Sequence, residues 1–269
     1  MIKALNFDNE KNIVYLDYNI FVDSLEKADI KNKLYSLKTK YKYVYSSAYL
    51  EELANTAIKD VNIKEEVIKK DLENISKLTN NIGLRPTTDT GILPVVEHPK
   101  YSYQRVIDYL HLTKLSENNS KNFMKNRINH IELVKKYNIN KDKIDLLDPS
   151  EVFYDSNVEM LVKECSRFGD LYLSINNASL WRAIRKDFSL LERNIEELFN
   201  LLEIIGYNSE NNKKSRSRLH DVTHAIYATK ANYFITNDNK FRNKCIAVYS
   251  FLGVTTKVCE YEKFISDNI

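Results

Sequence analysis

The stretch 218–241, RLHDVTHAIYATKANYFITNDNKF, constrains the fold more than any other. Leu219, Val222 and Ile226 recur at three- and four-residue spacing, which predicts a helix. Tyr233, Phe234, Ile235 and Thr236 are aromatic or β-branched throughout, which predicts a buried strand. A further helix start follows. Asp221 is expected in the first turn of the first helix, and Asp238 just past the end of the strand. In a β-α-β unit the helix runs antiparallel to its strands, so its N-terminus lies at their C-terminal edge. Both carboxylates are therefore expected at one edge, where open α/β sheets carry their sites.

Two strand-to-helix units open the chain. IVYLD at 13–17 leads into IFVDSLEKA, and YVYSS at 43–47 leads into AYLEELANTAIKD. Such short apolar runs predict buried parallel strands. Asp17 then sits at a strand C-terminus, a place where aspartate also serves as an ordinary turn or helix cap. Glu51 and Glu52 are adjacent early in a helix and so point about 100° apart. One can face the sheet edge while the other is solvated. Glu52 fits the inward place better, with Glu51 as the alternative.

From 58 to about 210 the pattern is helical, with helices expected at 61–79, 101–117, 120–137, 150–167 and 178–205. Gly83, Pro86, Gly91, Pro94 and Pro99 interrupt it and predict a loop or small hairpin over 82–99. This middle is too long for a crossover and is expected to pack as its own helical layer or subdomain. After Asp238 a helix, KFRNKCIAVYSF, leads to a last strand, VTTKV, and a short closing helix, YEKFISD. The order reads βα, βα, helical insert, αβαβ. That is an α/β fold with a core at 1–57 and 211–269 and an insertion at 58–210.

Asp17, Glu52, Asp221 and Asp238 thus all fall at one sheet edge. Two unit charges about 4 Å apart repel by roughly 4 kcal/mol at an effective dielectric near 20, so without a cation some carboxylates would protonate. A divalent ion resolves this, and oxygen-only donors favour Mg²⁺ or Mn²⁺ over zinc. Carboxylate-bound Mg²⁺ chemistry suits phosphodiester cleavage.

These pieces resemble PIN-like domain nucleases. The matching segments are YLDYNIFVD at 15–23, YSSAYLEEL at 45–53, RLHDVTHAIYA at 218–228 and FITNDNKF at 234–241. The resemblance puts that family's four acids on Asp17, Glu52, Asp221 and Asp238, as metal ligands and catalytic groups. Thr236 and Asn237 match the polar lead into the last acid, and Asn19 matches a polar residue just after the first. It implies a three-layer core with a parallel sheet of four to five strands. It also implies Mg²⁺- or Mn²⁺-dependent cleavage of single-stranded or structured RNA. Toxin and anti-phage defence roles, a protein regulator and a homo-oligomer are compatible with it. The alternative is a non-catalytic PIN-like module that binds RNA or a protein.

Forty basic against thirty-seven acidic side chains leave a net charge of +3, so any polyanion contact must come from local clustering. NNKKSRSR at 211–218 places Lys213, Lys214, Arg216 and Arg218 just before the Asp221 helix. Such a run serves equally as a solvated linker or as a grip on a phosphate backbone. Trp181, Arg182, Arg185 and Lys186 are expected in one helix, where surface cations beside a buried tryptophan are commoner than a stacking patch for RNA. His224, four residues after His220, is read either as a helper beside the metal or phosphate or as a satisfied helix histidine. HDVTH departs from the zinc-protease HExxH by its Asp, and the all-helical HD phosphohydrolase fold leaves IVYLD and YFITND unexplained. Cys165, Cys245 and Cys259 form no CxxC pair, which predicts reduced thiols in a cytoplasm. No signal peptide or membrane span is expected.

Overall fold

The computed structural model describes residues 3–4, 12–59, 65–113, 132–167, 177–209 and 215–269. Four parallel strands form its centre: β2 (Ile13–Leu16), β3 (Lys42–Val44), β6 (Tyr233–Ile235) and β7 (Lys257–Cys259), in the order β3-β2-β6-β7. All four side chains of β2 are buried. Because successive strand side chains point to opposite faces, both faces of the sheet are covered. That is the condition under which short parallel strands are stable. The strands at 13–16 and 233–235 exclude the all-helical alternative.

A second, antiparallel sheet joins the strand β1 (Lys3–Ala4) to the hairpin β4 (Ile82–Thr87) and β5 (Gly91–Val96), in the order β1-β5-β4. The glycine- and proline-marked stretch is therefore a hairpin. It extends the parallel sheet, since Tyr45 just past β3 bridges Gly83 and accepts a hydrogen bond from Leu84 N–H at 2.7 Å. The Tyr45 ring lies so close over Gly83 that a Cβ there would come within 2.7 Å of Cζ.

The helices follow the predicted order with informative differences. After β2 come α1 (Tyr18–Glu26) and α2 (Ala28–Ser36), and the lysine-rich α2 is held by the fully buried Leu34. α3 (Ser47–Lys59) follows β3, α4 (Glu65–Thr79) precedes the hairpin and α5 (Pro99–Thr113) follows it. The helix expected over 150–167 is a 3₁₀ turn, Pro149–Tyr154, and then α6 (Ser156–Arg167). The one expected over 178–205 is two, α7 (Asn177–Ile184) and α8 (Phe188–Ile205). Each break carries an aspartate that caps the next helix. Asp155 accepts from the Asn157 and Val158 N–H groups, and Asp187 accepts from Leu190 N–H. Apolar periodicity runs through such caps without registering them. The expected helix over 120–137 lies largely outside the described residues. Buried side chains of α6 and α8 belong to one cluster with those of the parallel strands.

α9 (Ser215–Ala228), β6, α10 (Asn239–Leu252), β7 and α11 (Tyr261–Ser266) complete the chain. The last strand starts later than VTTKV implies. Thr256 Oγ1 donates to backbone carbonyls of the turn after α9, with Ala231 O at 2.7 Å, so Val254–Thr256 is a connection. All three cysteines are free and buried. Among the described residues no helix is long and apolar enough to cross a membrane.

The hairpin is clamped to α5 by a buried carboxylate. Arg105 donates to both Glu97 oxygens, Ser102 Oγ donates to Oε2, and Tyr45 OH donates to the Glu97 carbonyl. The Arg105 guanidinium holds the Glu97 carboxyl below its ordinary value of 4.5, against the opposing push of burial. A carboxyl whose value is lower in the folded chain than in the unfolded one stabilises the fold above the unfolded value. That stability is lost as pH falls through the folded value. Thermal melts from pH 6 to pH 3 are expected to show the wild type losing its stability margin over Glu97→Gln as pH drops below 4.5. A margin that is constant across that range would contradict the clamp.

Candidate active site

The strand order reverses between β2 and β6: the chain leaves β2 towards β3 on one side, and leaves β6 towards β7 on the other. Crevices of open α/β sheets form at such a reversal, outside the strands' C-terminal ends. Asp17 follows β2 and Asp238 lies just past β6, so both acids are at this point.

Asp17 is fixed from several directions. Its N–H donates to Ile235 O at 2.8 Å, extending the β2–β6 pairing by one residue. Its carboxylate caps α1, accepting from Asn19 N–H at 3.4 Å, and Oδ2 accepts from Thr236 Oγ1 at 2.7 Å. Thr236 Oγ1 in turn accepts from Asp238 N–H at 3.2 Å, so one buried hydroxyl ties the first acid to the last. Asp238 is exposed and caps α10 through Phe241 N–H. The capping role weighed for Asp17 and its place at the C-terminal end of β2 are both realised.

Glu52 of α3 reaches the same place. Its Oε1 lies 2.7 Å from Nε2 of His224, a residue of α9 that is only 1% exposed. Burial alone would lower the His224 imidazole. The hydrogen bond to Glu52 and the charges of Glu52, Asp17 and Asp221 outweigh it, so the net shift is upward. Asp17 is 6% exposed, and burial pushes its carboxyl up although His224 and Thr236 pull the other way. Burial also pushes the Cys245 thiol far up, and the charges of Asp221, Asp17 and Asp238 add to that push. Glu52, Asp17 and Asp221 thus act on His224, and Asp221, Asp17 and Asp238 act on Cys245.

Other expectations fare differently. α9 begins at Ser215, because the SRSR run continues the helix, so Asp221 lies in its second turn rather than its first. Arg216 and Arg218 fall within that helix, whereas Lys213 and Lys214 lie outside the described residues. Asn19 is exposed beside Asp17. Asn237 is exposed too, but its Oδ1 accepts from Tyr261 N–H at 3.0 Å, which ties the loop to α11. Glu51 turns towards His220, at 3.9 Å, and feels the charge of Glu192. Trp181 is packed against the core, and α7 ends at Ile184, so Arg185 and Lys186 are not in its helix.

Two groups at the site carry no sequence signal of their own. Tyr15, in the middle of β2, places its OH 2.7 Å from His224 Nδ1 and 2.6 Å from Ser46 Oγ. Within IVYLD it reads as one more core aromatic. The only hint is a hydroxyl in a strand with no other polar side chain before Asp17.

Comparison of the chain with protein-family models, with curated proteins and with solved structures found no match. What the site can do must therefore come from its own chemistry. Its donors are carboxylate oxygens, which suit a hard divalent cation. The buried, upshifted Asp17 is the kind of group a cation would relieve. Among the described residues no three His, Cys, Asp or Glu side chains converge closely enough to hold one ion. Asp17 and Asp238 share this edge, and Glu52 is bonded to His224 beside it.

Proposed function

We propose that this chain is a Mg²⁺- or Mn²⁺-dependent endoribonuclease with a PIN-like core. The observation that supports the reading is that Asp17 and Asp238 lie at the reversal point between β2 and β6, tied through Thr236, with Glu52 bonded to the neighbouring His224 and Asp17 buried against an unfavourable burial cost. Asp17, Asp221 and Asp238 would hold the cation, and Glu52 would hold it or orient the attacking water. The cation, when bound, supplies Lewis-acid charge and a more acidic water for phosphodiester cleavage. Thr236 keeps Asp17 and Asp238 in a fixed relation. The basic segment 213–218 would follow the phosphate backbone at the start of α9.

A second reading, a non-catalytic PIN-like module that binds RNA or a protein, is favoured by one observation, the lack of three converging ligands among the described residues. The two separate on labelled RNA and labelled single-stranded DNA incubated with Mn²⁺ or Mg²⁺. The hydrolase reading expects wild type to cut RNA faster than DNA, and Asp221→Asn to cut neither. Equal cleavage by both proteins, or binding without cleavage at every metal tried, would overturn it.

A further inference from the structure

We propose that Ser46, Tyr15 and His224 form a buried positioning relay that holds the Glu52 carboxylate in one orientation at the crevice. This rests on the hydrolase reading and goes beyond it by assigning residues that no acid pattern marks. The chain of contacts is short throughout: Ser46 Oγ to Tyr15 OH at 2.6 Å, Tyr15 OH to His224 Nδ1 at 2.7 Å, His224 Nε2 to Glu52 Oε1 at 2.7 Å. Ser46 is itself anchored, accepting from Ala48 N–H at 3.2 Å at the start of α3, the helix that carries Glu52. The relay therefore starts just before α3, passes through the central strand and α9, and ends on α3.

Its polarity follows from donor chemistry. An ionised carboxylate only accepts, so Nε2 must carry the proton given to Glu52. With the imidazole neutral, Nδ1 accepts from the Tyr15 hydroxyl; with it protonated, Nδ1 donates to the Tyr15 oxygen and the phenol proton turns to Ser46 Oγ. Burial drives the Tyr15 phenol well above its ordinary range, so it keeps that proton. In the neutral case the phenol oxygen accepts in turn from Ser46. The Ser46 and Tyr15 hydroxyls and both His224 nitrogens each have a partner, which is the condition for a buried network to favour one arrangement. Edge-on packing of Tyr15 against Tyr49 and Phe234 fixes the ring in place. Tyr15, Ser46 and His224 are positioning residues: the carboxylate at the end of the chain is the group that meets water or cation.

The test uses Tyr15→Phe, which keeps the ring and removes the hydroxyl, and Ser46→Ala, both in the full chain. Steady-state cleavage of RNA with Mn²⁺ is expected to show kcat down about tenfold to a hundredfold for Tyr15→Phe, with KM unchanged. Ser46→Ala is expected to show a smaller fall in kcat. In ¹⁵N-histidine-labelled protein treated with chelator, the His224 Nδ1 resonance is expected to move in Tyr15→Phe as its hydrogen bond disappears. Unchanged kcat in an active Tyr15→Phe protein, or an unmoved Nδ1 resonance, would overturn the relay and leave the hydrolase standing. A wild type that cleaves nothing would overturn the hydrolase and, with it, the purpose assigned to the relay.

Discussion

Asp17→Asn is expected to cut metal-dependent RNA cleavage by about a thousandfold or more while raising the melting temperature of the chelator-treated protein. The two effects have one origin. A carboxylate buried at the end of β2 is disfavoured by desolvation, and burial pushes its proton affinity up. An uncharged isostere removes that cost, and its carbonyl oxygen still accepts from Thr236 Oγ1. The same isostere removes the negative charge that would hold a cation. If that cation contributes about 4 kcal/mol to the transition state, its loss amounts to about a thousandfold in rate. The sign of the pH effect follows. An acid whose folded value is raised stabilises the fold at low pH, and that contribution is lost as pH rises through the raised value, which lies above 3.8. The stability advantage of Asp17→Asn over wild type should therefore grow from acid towards neutral pH in melts run with chelator. A variant less stable than wild type at neutral pH would mean that the carboxylate is already compensated within the fold.

The second large effect is structural. Lys244 of α10 is only 4% exposed and is paired with Glu203 near the end of α8. This pair ties the helical layer that follows the hairpin to the helix after Asp238. Removing one partner leaves a buried charge without its counter-ion, which costs about 3–5 kcal/mol. Glu203→Ala is expected to lower the melting temperature by on the order of 10 °C for a chain of this size. The double change Glu203→Leu with Lys244→Met should recover most of that loss, because a buried pair replaced by apolar groups is often neutral. A small loss in Glu203→Ala, or no recovery in the double variant, would show that the pair is not the main tie.

Much of the fold was legible because short, wholly apolar runs such as IVYL and YFI have few other places to go than a covered parallel sheet. Asp17 and Asp238 were legible for the same reason: an acid directly after such a run must lie at its C-terminal edge. The internal helix breaks were not, since Asp155 and Asp187 act through their own backbone neighbours and leave the apolar spacing intact. The start of α9 was placed late because arginine and serine can continue a helix as readily as form a linker. Adjacent glutamates gave no firm choice in the sequence. His224 makes the distinction by hydrogen-bonding Glu52, while Glu51 lies 3.9 Å from His220. The Tyr15 relay was invisible, since a hydroxyl in a strand does not announce its partner on a helix more than two hundred residues away.

We propose that Asp17, Asp221 and Asp238, distant in sequence, hold one divalent cation, with Glu52 holding it or orienting water. The most direct test of this claim is Mn²⁺ binding to the full chain, followed by electron paramagnetic resonance, for wild type, Asp17→Asn, Glu52→Gln, Asp221→Asn and Asp238→Asn. The expected result is that wild type binds, that Asp17→Asn, Asp221→Asn and Asp238→Asn each weaken binding by about tenfold or more, and that Glu52→Gln separates the two roles left to Glu52. Binding that is equal in all five proteins, or absent in the wild type, would contradict the claim.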